Sequence, residues 1–152
     1  MSNLRFPMFI SLENKSIIIF GGGKVAYRRA NTLLLFHADV TVIAPQVIEE
    51  IVLLMERKQL RIMKEYYAEQ YINETVFMVI AATNDEKINS EIYDKCKSSG
   101  ILVNNASNQL QCDFFFPAVI TDENIVIGVS GDGRNHKKVS ELAKKIRLDI
   151  QE

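Results

Sequence analysis

Three consecutive glycines lie between a run of apolar residues and a segment with the apolar spacing of a helix. Together with Ala26 they spell G-x-G-x-x-A across Gly21, Gly22 and Gly23. The first glycine of this pattern permits a tight strand-to-helix turn, and Gly23 lets the backbone approach a diphosphate. The N–H groups at the start of the following helix attract the same anion. The pattern therefore predicts dinucleotide binding, with a glycine-rich turn that holds no ligand as the alternative.

The end of the second predicted strand indicates which dinucleotide to expect. The acidic residue that usually binds the adenosine ribose is absent, and Ala44, Pro45 and Gln46 stand at that position. The side-chain amide of Gln46 can bond to a ribose hydroxyl instead. Because no arginine follows to receive a 2′-phosphate, NAD is favoured over NADP.

Polar residues also follow two later predicted strands, in the segments AATND and VNNAS. Ligands of open α/β sheets bind at the carboxyl ends of the strands, so both segments are candidates for cofactor contact. For Thr83 and Asn84 the alternative is capping of the helix that is predicted from Glu86, and the two roles can coexist.

The elements that position these residues alternate between strand and helix, which predicts an α/β fold with a doubly wound, mostly parallel Rossmann-type sheet. Strands are predicted at 16–20, 40–44, 60–64, 76–82 and 101–104, and helices at 24–36, 46–57 and 86–98. Gly100 is suited to end the third helix, and His37 stands where a helix usually stops with glycine. Residues 1–112 are thus expected to form a nucleotide-binding domain.

The pattern changes after residue 112. Two apolar segments at 114–121 and 125–130 predict a β-hairpin with a short polar loop, and a final helix is predicted over 137–150. Residues 113–152 are too few for an independent domain. We therefore expect them to form an extension that packs on a second copy of the chain in a homodimer.

The composition excludes several classes of function. The 152 residues are 47% hydrophobic with a net charge of -1, which gives no general attraction to nucleic acid or anionic membranes. No apolar run reaches the ~18 residues of a membrane-spanning helix, and the N-terminus lacks the apolar core of a secretory signal. Two isolated cysteines, Cys96 and Cys112, predict neither a disulfide framework nor a metal site. A cytoplasmic location is expected.

Several motifs together resemble the NAD-dependent precorrin-2 dehydrogenases of sirohaem biosynthesis, a family that also forms the N-terminal module of multifunctional sirohaem synthases. The segments that carry the resemblance are FPMF, SIIIFGGGKVAYRRANTLLLF, VIAATND, ILVNNA and CDFFFPA. The likeness covers roughly residues 6–130 and returns in LAKKIR near the end. This combination is far more specific than the glycine motif alone.

The resemblance implies removal of two electrons and two protons from precorrin-2, which gives sirohydrochlorin and NADH. It also implies a homodimer formed through the region after the sheet. The NAD contacts that it implies are Gly21, Gly23, Lys24, Val25, Ala44, Pro45, Gln46, Thr83, Asn84 and Asn104.

The sequence departs from the family at the position of catalysis. The family's functional aspartate corresponds to Ser107, whose hydroxyl is no carboxylate base and is expected to orient substrate or water. Asp113, Asp132 and His136 are further candidates for proton handling, and the structural alternative for Asp113 is a carboxylate of a turn or strand edge. Larger relatives carry a C-terminal helical domain that some use for iron insertion. This chain ends at Glu152, so chelatase activity is not expected.

The substrate carries many carboxylates, so a basic binding surface is expected. Arg134, His136 and Lys137 are the predicted substrate contacts, in a segment rich in lysine and arginine. The alternative for this segment is a solvated helix face.

Two other functions stay open. One is a regulatory module that senses NAD without catalysis, although such modules normally carry the acidic residue that is missing after the second strand. The other is a family member that binds NAD and tetrapyrrole without turnover, an option that Ser107 keeps open.

Overall fold

The computed structural model describes residues 5–57 and 59–150. Contacts divide the chain into two compact units. The first is Ser11–Phe114, and the second combines the N-terminal segment up to Ile10 with the chain from Phe115 onward. The sequence pattern places the boundary after residue 112 and the N-terminal segment in the first domain. The division into a nucleotide-binding domain of residues 1–112 and an extension of residues 113–152 stays a prediction.

The first unit is built on five parallel strands. They are β1 (Ser16–Phe20), β2 (Asp39–Ile43), β3 (Arg61–Met63), β4 (Met78–Ala81) and β5 (Leu102–Asn105), in the order β3-β2-β1-β4-β5. Every neighbouring pair is parallel, so the carboxyl ends lie along one edge of the sheet. The chain leaves β1 toward β2 and later returns to pair β4 with the other side of β1. The predicted doubly wound sheet is confirmed, with its switch point between β1 and β4.

Three helices connect the strands, namely α1 (Lys24–Leu34), α2 (Glu49–Glu56) and α3 (Glu86–Ser99). Helix α1 ends earlier than predicted because the backbone turns at His37, whose φ is 57° and whose N–H donates to the Leu34 carbonyl at 3.1 Å. Helix α2 begins later than predicted because Ile48 is extended and its N–H donates to the Gly22 carbonyl at 2.9 Å. Gly100 ends α3 in the left-handed conformation that the sequence predicts, with a φ of 68°.

Both faces of the sheet are covered, as the near-continuous apolar strands require. Consecutive residues of β1 from Ile17 onward are all buried, so the strand has no solvent-facing side. At its end, the ring of Phe20 meets Tyr67 edge-on with the ring centroids 5.1 Å apart. The cluster on the α3 face comprises Ile18, Phe20, Ile43, Ile72, Val76, Val79, Ala81, Ile92, Cys96, Ile101 and Val103.

The second unit contains an antiparallel hairpin and a helix, which are β6 (Ala118–Asp122), β7 (Ile125–Val129) and α4 (His136–Ile150). Strand β6 starts at Ala118 instead of 114, directly after Pro117, which has no N–H to donate to a ladder. Glu123 turns the hairpin with a φ of 45°. A small core of this unit consists of Ile120, Val129 and Ala143. Within the described part of the chain, no helix has the length and apolar character needed to cross a membrane.

Cys96 offers a direct test of this packing. Its side chain is fully buried, and burial raises the pKa of its thiol to about 12, so the reactive thiolate is scarce near neutral pH. In a Cys112→Ser variant, we expect iodoacetamide to modify Cys96 roughly 100-fold or more slowly in the folded protein than in denaturant. Mass spectrometry of quenched samples measures both rates. Equal rates in the two states would contradict the burial of this face of α3.

Candidate functional site

The glycine turn lies at the switch point between β1 and β4. The N–H of Gly21 donates to the carbonyl of Ile43 at 3.0 Å, and the carbonyl of Gly22 accepts from the N–H of Ile48 at 2.9 Å. Both bonds attach the turn to the chain that leaves β2. Because the connections after β1 and β4 run toward opposite edges of the sheet, such a switch point leaves a crevice in which ligands bind.

The three glycines differ in what a side chain at their position would meet. At Gly21 φ is +120°, and a β-carbon would collide with the carbonyl oxygen of Ala82. At Gly22 a β-carbon would collide with the carbonyl oxygen of Gln46. At Gly23 no described atom lies within 4 Å of that position, and the backbone is extended. The first two glycines therefore let backbones pack together, whereas the third faces open space.

Helix α1 begins at this open position. Gly23 is its N-cap and makes no side-chain cap, and the first turn contains no acidic residue. Gly23, Lys24 and Val25 are all exposed. The first N–H groups of the helix therefore have neither a side-chain cap nor an acidic neighbour in their own turn. Such a helix start favours an anion, so the residues present fit a diphosphate.

The segment after β2 lies beside the turn. Ala44 is buried, and its N–H donates to the carbonyl of Met63 at 3.1 Å. Pro45 and Gln46 are exposed, and the backbone of Gln46 packs against Gly22. The structure thus places these residues near the start of α1, and their contact with a ribose stays a prediction.

Thr83 and Asn84 follow β4, on the other side of the switch point. Neither of them caps α3, because Asp85 is the N-cap and accepts from the N–H groups of Lys87 and Ile88 at 2.8 and 3.3 Å. The capping alternative for Thr83 and Asn84 is therefore wrong, since the cap falls one residue later. Their predicted contact with the cofactor is untested.

Asn89 of α3 connects the ends of β4 and β5. Its Oδ1 accepts from the N–H and the hydroxyl of Thr83 at 3.1 and 2.8 Å. Its Nδ2 donates to the carbonyl of Thr83 and to the hydroxyl of Ser107, both at 3.1 Å. The Ser107 hydroxyl in turn donates to Oδ1 of Asn105 at 2.7 Å. Asn89 is only 1% exposed, so these polar groups are organised from the interior.

Sequence reasoning missed Asn89, and it included Asn105 only as a member of the candidate segment VNNAS, without a role. Asn89 shares a helical face with Ile92 and Cys96, which are the other buried residues of α3. A polar residue in such a stripe must find hydrogen-bond partners, and this signal could have identified it. Asn105 lies one residue beyond the predicted end of β5, so the pattern left it outside the sheet.

Asn104 holds a buried acceptor at the end of β5. Its Nδ2 donates to the carbonyl of Phe114 at 2.9 Å. Its Oδ1 is buried and has no hydrogen-bond partner among residues 5–57 and 59–150. A buried carbonyl oxygen without a partner costs about 1–3 kcal/mol, so a ligand that donates a hydrogen bond here would be favoured.

Asp113 is bound to α3 and β5. Its carboxylate accepts from Nζ of Lys97 at 2.6 Å and from the N–H of Val103 at 3.1 Å. The hydrogen bond from Lys97 to this carboxylate raises the pKa of Lys97. Val103 is the second residue of β5, so Asp113 lies toward the amino end of the strand. These contacts favour a structural carboxylate, and the catalytic role stays an untested prediction.

The predicted substrate contacts belong to the second unit and flank the start of α4. His136 is the first residue of the helix, and it is exposed together with Arg134 and Lys137. Nε of Arg134 lies 3.6 Å from a carboxylate oxygen of Asp132, and Nζ of Lys137 lies 3.9 Å from one of Glu141. Both cations thus have acidic neighbours, and their binding of substrate carboxylates stays a prediction.

Comparison with known proteins gives relatives over nearly the whole chain. A protein of Ruminiclostridium josui named "Probable multifunctional siroheme biosynthesis protein HemA" is 40% identical over 144 residues, which are 94% of this chain and 28% of that protein. The siroheme synthase of Psychrobacter sp. strain PRwf-1 is 38% identical over 129 residues, which are 85% of this chain and 26% of that protein. This chain thus spans about a quarter of the length of these relatives.

A solved structure and a family model agree with the fold. The structure of SirC, precorrin-2 dehydrogenase, matches with a TM-score of 0.80 at 26% identity and covers 95% of this chain and 71% of that chain. The family model described as "Putative NAD(P)-binding" matches residues 8–118, which include the glycine turn and all five parallel strands. With the open, uncapped start of α1, these findings show that the chain belongs to this family of NAD(P)-binding proteins.

Proposed function

We propose that this chain binds NAD and oxidises precorrin-2 to sirohydrochlorin. The observation that carries the proposal is the likeness to SirC, precorrin-2 dehydrogenase, over 95% of the chain at a TM-score of 0.80. The siroheme synthases among the relatives support the same substrate class. The proposal concerns dehydrogenation alone and includes no iron insertion.

We place the diphosphate of NAD on the N–H groups at the start of α1. Gly23, Lys24 and Val25 are exposed there, and the position of a Gly23 side chain is open. The partial positive charge of the helix start and its uncapped N–H groups favour this anion. When bound, NAD supplies the hydride acceptor of the reaction.

The two ends of NAD are assigned to the strand ends on either side of the glycine turn. Ala44, Pro45 and Gln46 take the adenosine ribose, in a segment without an arginine that would favour NADP. The nicotinamide side is assigned to residues at the ends of β4 and β5, which are Thr83, Asn84 and Asn104. The buried Oδ1 of Asn104 supports this assignment, since it offers an acceptor to a ligand hydrogen.

Ser107 is assigned an orienting role in the reaction. A serine hydroxyl stays protonated near neutral pH, so it cannot remove a proton as a carboxylate does. The carboxylate of Asp113 is engaged by Lys97, which makes it a poor alternative base. Catalysis then depends on holding the substrate carbon against the nicotinamide in the geometry for hydride transfer, and the second proton that the substrate loses passes to solvent water.

The second unit is assigned the substrate carboxylates and the contact between copies of the chain. Arg134, His136 and Lys137 offer exposed hydrogen-bond donors that suit carboxylates. In the same unit Phe6 and Phe9 are 88% and 71% exposed, which supports burial in a homodimer. The proposal includes a cytoplasmic location, where Cys96 and Cys112 persist as thiols.

The direct test is anaerobic incubation of the protein with NAD and precorrin-2, with absorbance recorded for NADH and sirohydrochlorin. We expect the two products to appear together in equal amounts, and NADP to support a much slower reaction because no arginine follows β2 to receive its 2′-phosphate. If the protein binds NAD but forms no NADH, the proposed dehydrogenase activity is wrong and a function in binding alone takes its place. Absence of NAD binding would overturn both functions.

Two glycine variants form a matched test of the cofactor position. Gly23→Ala is expected to fold normally, because the backbone is extended and the side-chain position is open. It should nevertheless weaken NAD binding by about 10-fold or more, since the methyl group occupies the approach of the diphosphate. Gly22→Ala should instead lower the Tm, because its methyl group meets the backbone of Gln46. Calorimetric titration and thermal melts measure the two effects, and unchanged NAD affinity in Gly23→Ala would contradict this placement.

The homodimer is tested by light scattering of the protein and of a Phe6→Ser/Phe9→Ser double variant. We expect the mass of two chains for the wild type and a shift to one chain for the variant, which removes exposed apolar surface. Lys138→Ser, a change at another exposed residue of the second unit, is the control and should stay dimeric. A wild-type protein with the mass of one chain at the concentration of the assay would contradict the dimer.

A further inference from the structure

The hydrogen bonds around Asn89 have one consistent arrangement. The backbone N–H of Thr83 can only donate and its carbonyl can only accept, so Oδ1 of Asn89 must face the N–H and Nδ2 must face the carbonyl. Nδ2 also lies 3.1 Å from Oγ of Ser107, which must therefore accept. The orientation of this buried amide thus follows from main-chain atoms of Thr83.

The same logic places the hydroxyl hydrogen of Ser107. Oδ1 of Asn105 accepts from the backbone N–H of Ser107 at 2.9 Å, which sets the orientation of the Asn105 amide. This oxygen also lies 2.7 Å from Oγ of Ser107, so the hydroxyl hydrogen must lie between the two oxygens. In this orientation Nδ2 of Asn105 donates to Oε1 of Gln111 at 2.7 Å.

We infer that Ser107 offers a bound ligand only a hydrogen-bond-accepting lone pair, and that Asn89 and Asn105 are the positioning residues that together set this polarity. The hydroxyl oxygen has two lone pairs, of which Asn89 uses one, and its hydrogen belongs to Asn105. Ser107 itself is exposed and can be reached by a ligand, whereas Asn89 is buried.

The ligand group that fits this lone pair is an N–H donor. Under the proposed function, on which this step rests, two groups qualify: the carboxamide of the nicotinamide and a pyrrole N–H of the tetrapyrrole. Asn89 also holds the Thr83 hydroxyl at 2.8 Å, so one buried amide orients polar groups at the ends of both β4 and β5. A change at Asn89 should therefore act on the reaction through Ser107 and Thr83.

Asn89→Asp tests the polarity because it keeps the shape of the side chain and replaces the N–H donor with an oxygen. Oγ of Ser107 then lies between two side-chain oxygens and has a hydrogen for only one of them. The other contact becomes repulsive and moves the hydroxyl away from the position in which it accepts from the ligand. Burial and the facing Thr83 carbonyl raise the pKa of a carboxyl group here, so lowering the pH restores a donor. Relative to wild type, we expect kcat/KM to fall about 10-fold or more at about pH 8 and to recover partly toward about pH 6.

Ser107→Ala and Ser107→Thr provide the comparison at the acceptor itself. Ser107→Ala removes the acceptor and should weaken ligand binding about 5-fold or more, whereas Ser107→Thr keeps the hydroxyl and should retain most of it. The Asn89→Asp/Ser107→Ala double variant should lose less than the sum of the two single losses, since part of the effect of Asn89 passes through Ser107 and the rest through Thr83. Calorimetric NAD affinity distinguishes the donors: it falls in Ser107→Ala if the carboxamide binds there. If a pyrrole N–H binds there, NAD affinity is kept and the KM for precorrin-2 rises.

Thermal melts accompany every variant, and if Asn89→Asp does not fold, the Ser107→Ala and Ser107→Thr pair decides the inference. Wild-type NAD affinity and wild-type kinetics in Ser107→Ala would overturn it. A loss in Asn89→Asp that is independent of pH and adds fully to that of Ser107→Ala would overturn the role of Asn89. Wild-type protein without turnover would overturn the proposed function instead. In that case the inference about Ser107 is decided by NAD affinity alone. An unchanged NAD affinity in Ser107→Ala would then overturn the inference as well.

Discussion

The close approach of separate backbones at the glycine turn is the constraint on which the rest of the structure depends. Gly21 lies against the backbone after β4, and Gly22 lies against the backbone after β2. Neither position has room for a β-carbon, and Gly21 also needs a positive φ. Because both neighbours are close, helix α1 can begin directly above the end of β1 and present its first N–H groups at the switch point.

The two sides of the switch point are held by different kinds of contact. On the β2 side, main-chain bonds to Gly21 and Gly22 attach the turn to the following segment. On the β4 and β5 side, the side-chain amides of Asn89 and Asn105 connect the strand ends. The first arrangement suits a phosphate, which binds N–H groups of any residue. The second suits a ligand whose donors and acceptors must be distinguished.

Much of the fold could be predicted because its signals are local. The limits of β1 agree with the apolar run, since a buried parallel strand needs such a run and glycine ends it. Gly100 and His37 mark helix ends because the left-handed conformation is a property of single residues. The glycine motif could be located for the same reason.

The missed features depend on contacts between distant residues. The start of α2 depends on the bond between Ile48 and Gly22, and no local pattern encodes that bond. The amide of Asn89 finds its partner Ser107 eighteen positions later, across two strand ends. Asp113 likewise forms an ion pair with Lys97, which is distant from it in sequence. Residue types therefore indicated which side chains could form hydrogen bonds or ion pairs. Only the tertiary contacts show which partner each of them has.

The main-chain character of the contacts at Gly22 has a consequence for how such a chain can diverge. Substitutions at Ile48 leave the N–H that binds the Gly22 carbonyl, and substitutions at Gln46 leave the carbonyl that packs against Gly22. The turn itself therefore tolerates side-chain changes at both positions as long as the backbone path persists. The amide cluster of Asn89, Ser107 and Asn105 has no such freedom, because a change in one side chain reverses a partner's donor or acceptor. Selection can thus vary the two halves of one crevice at different rates.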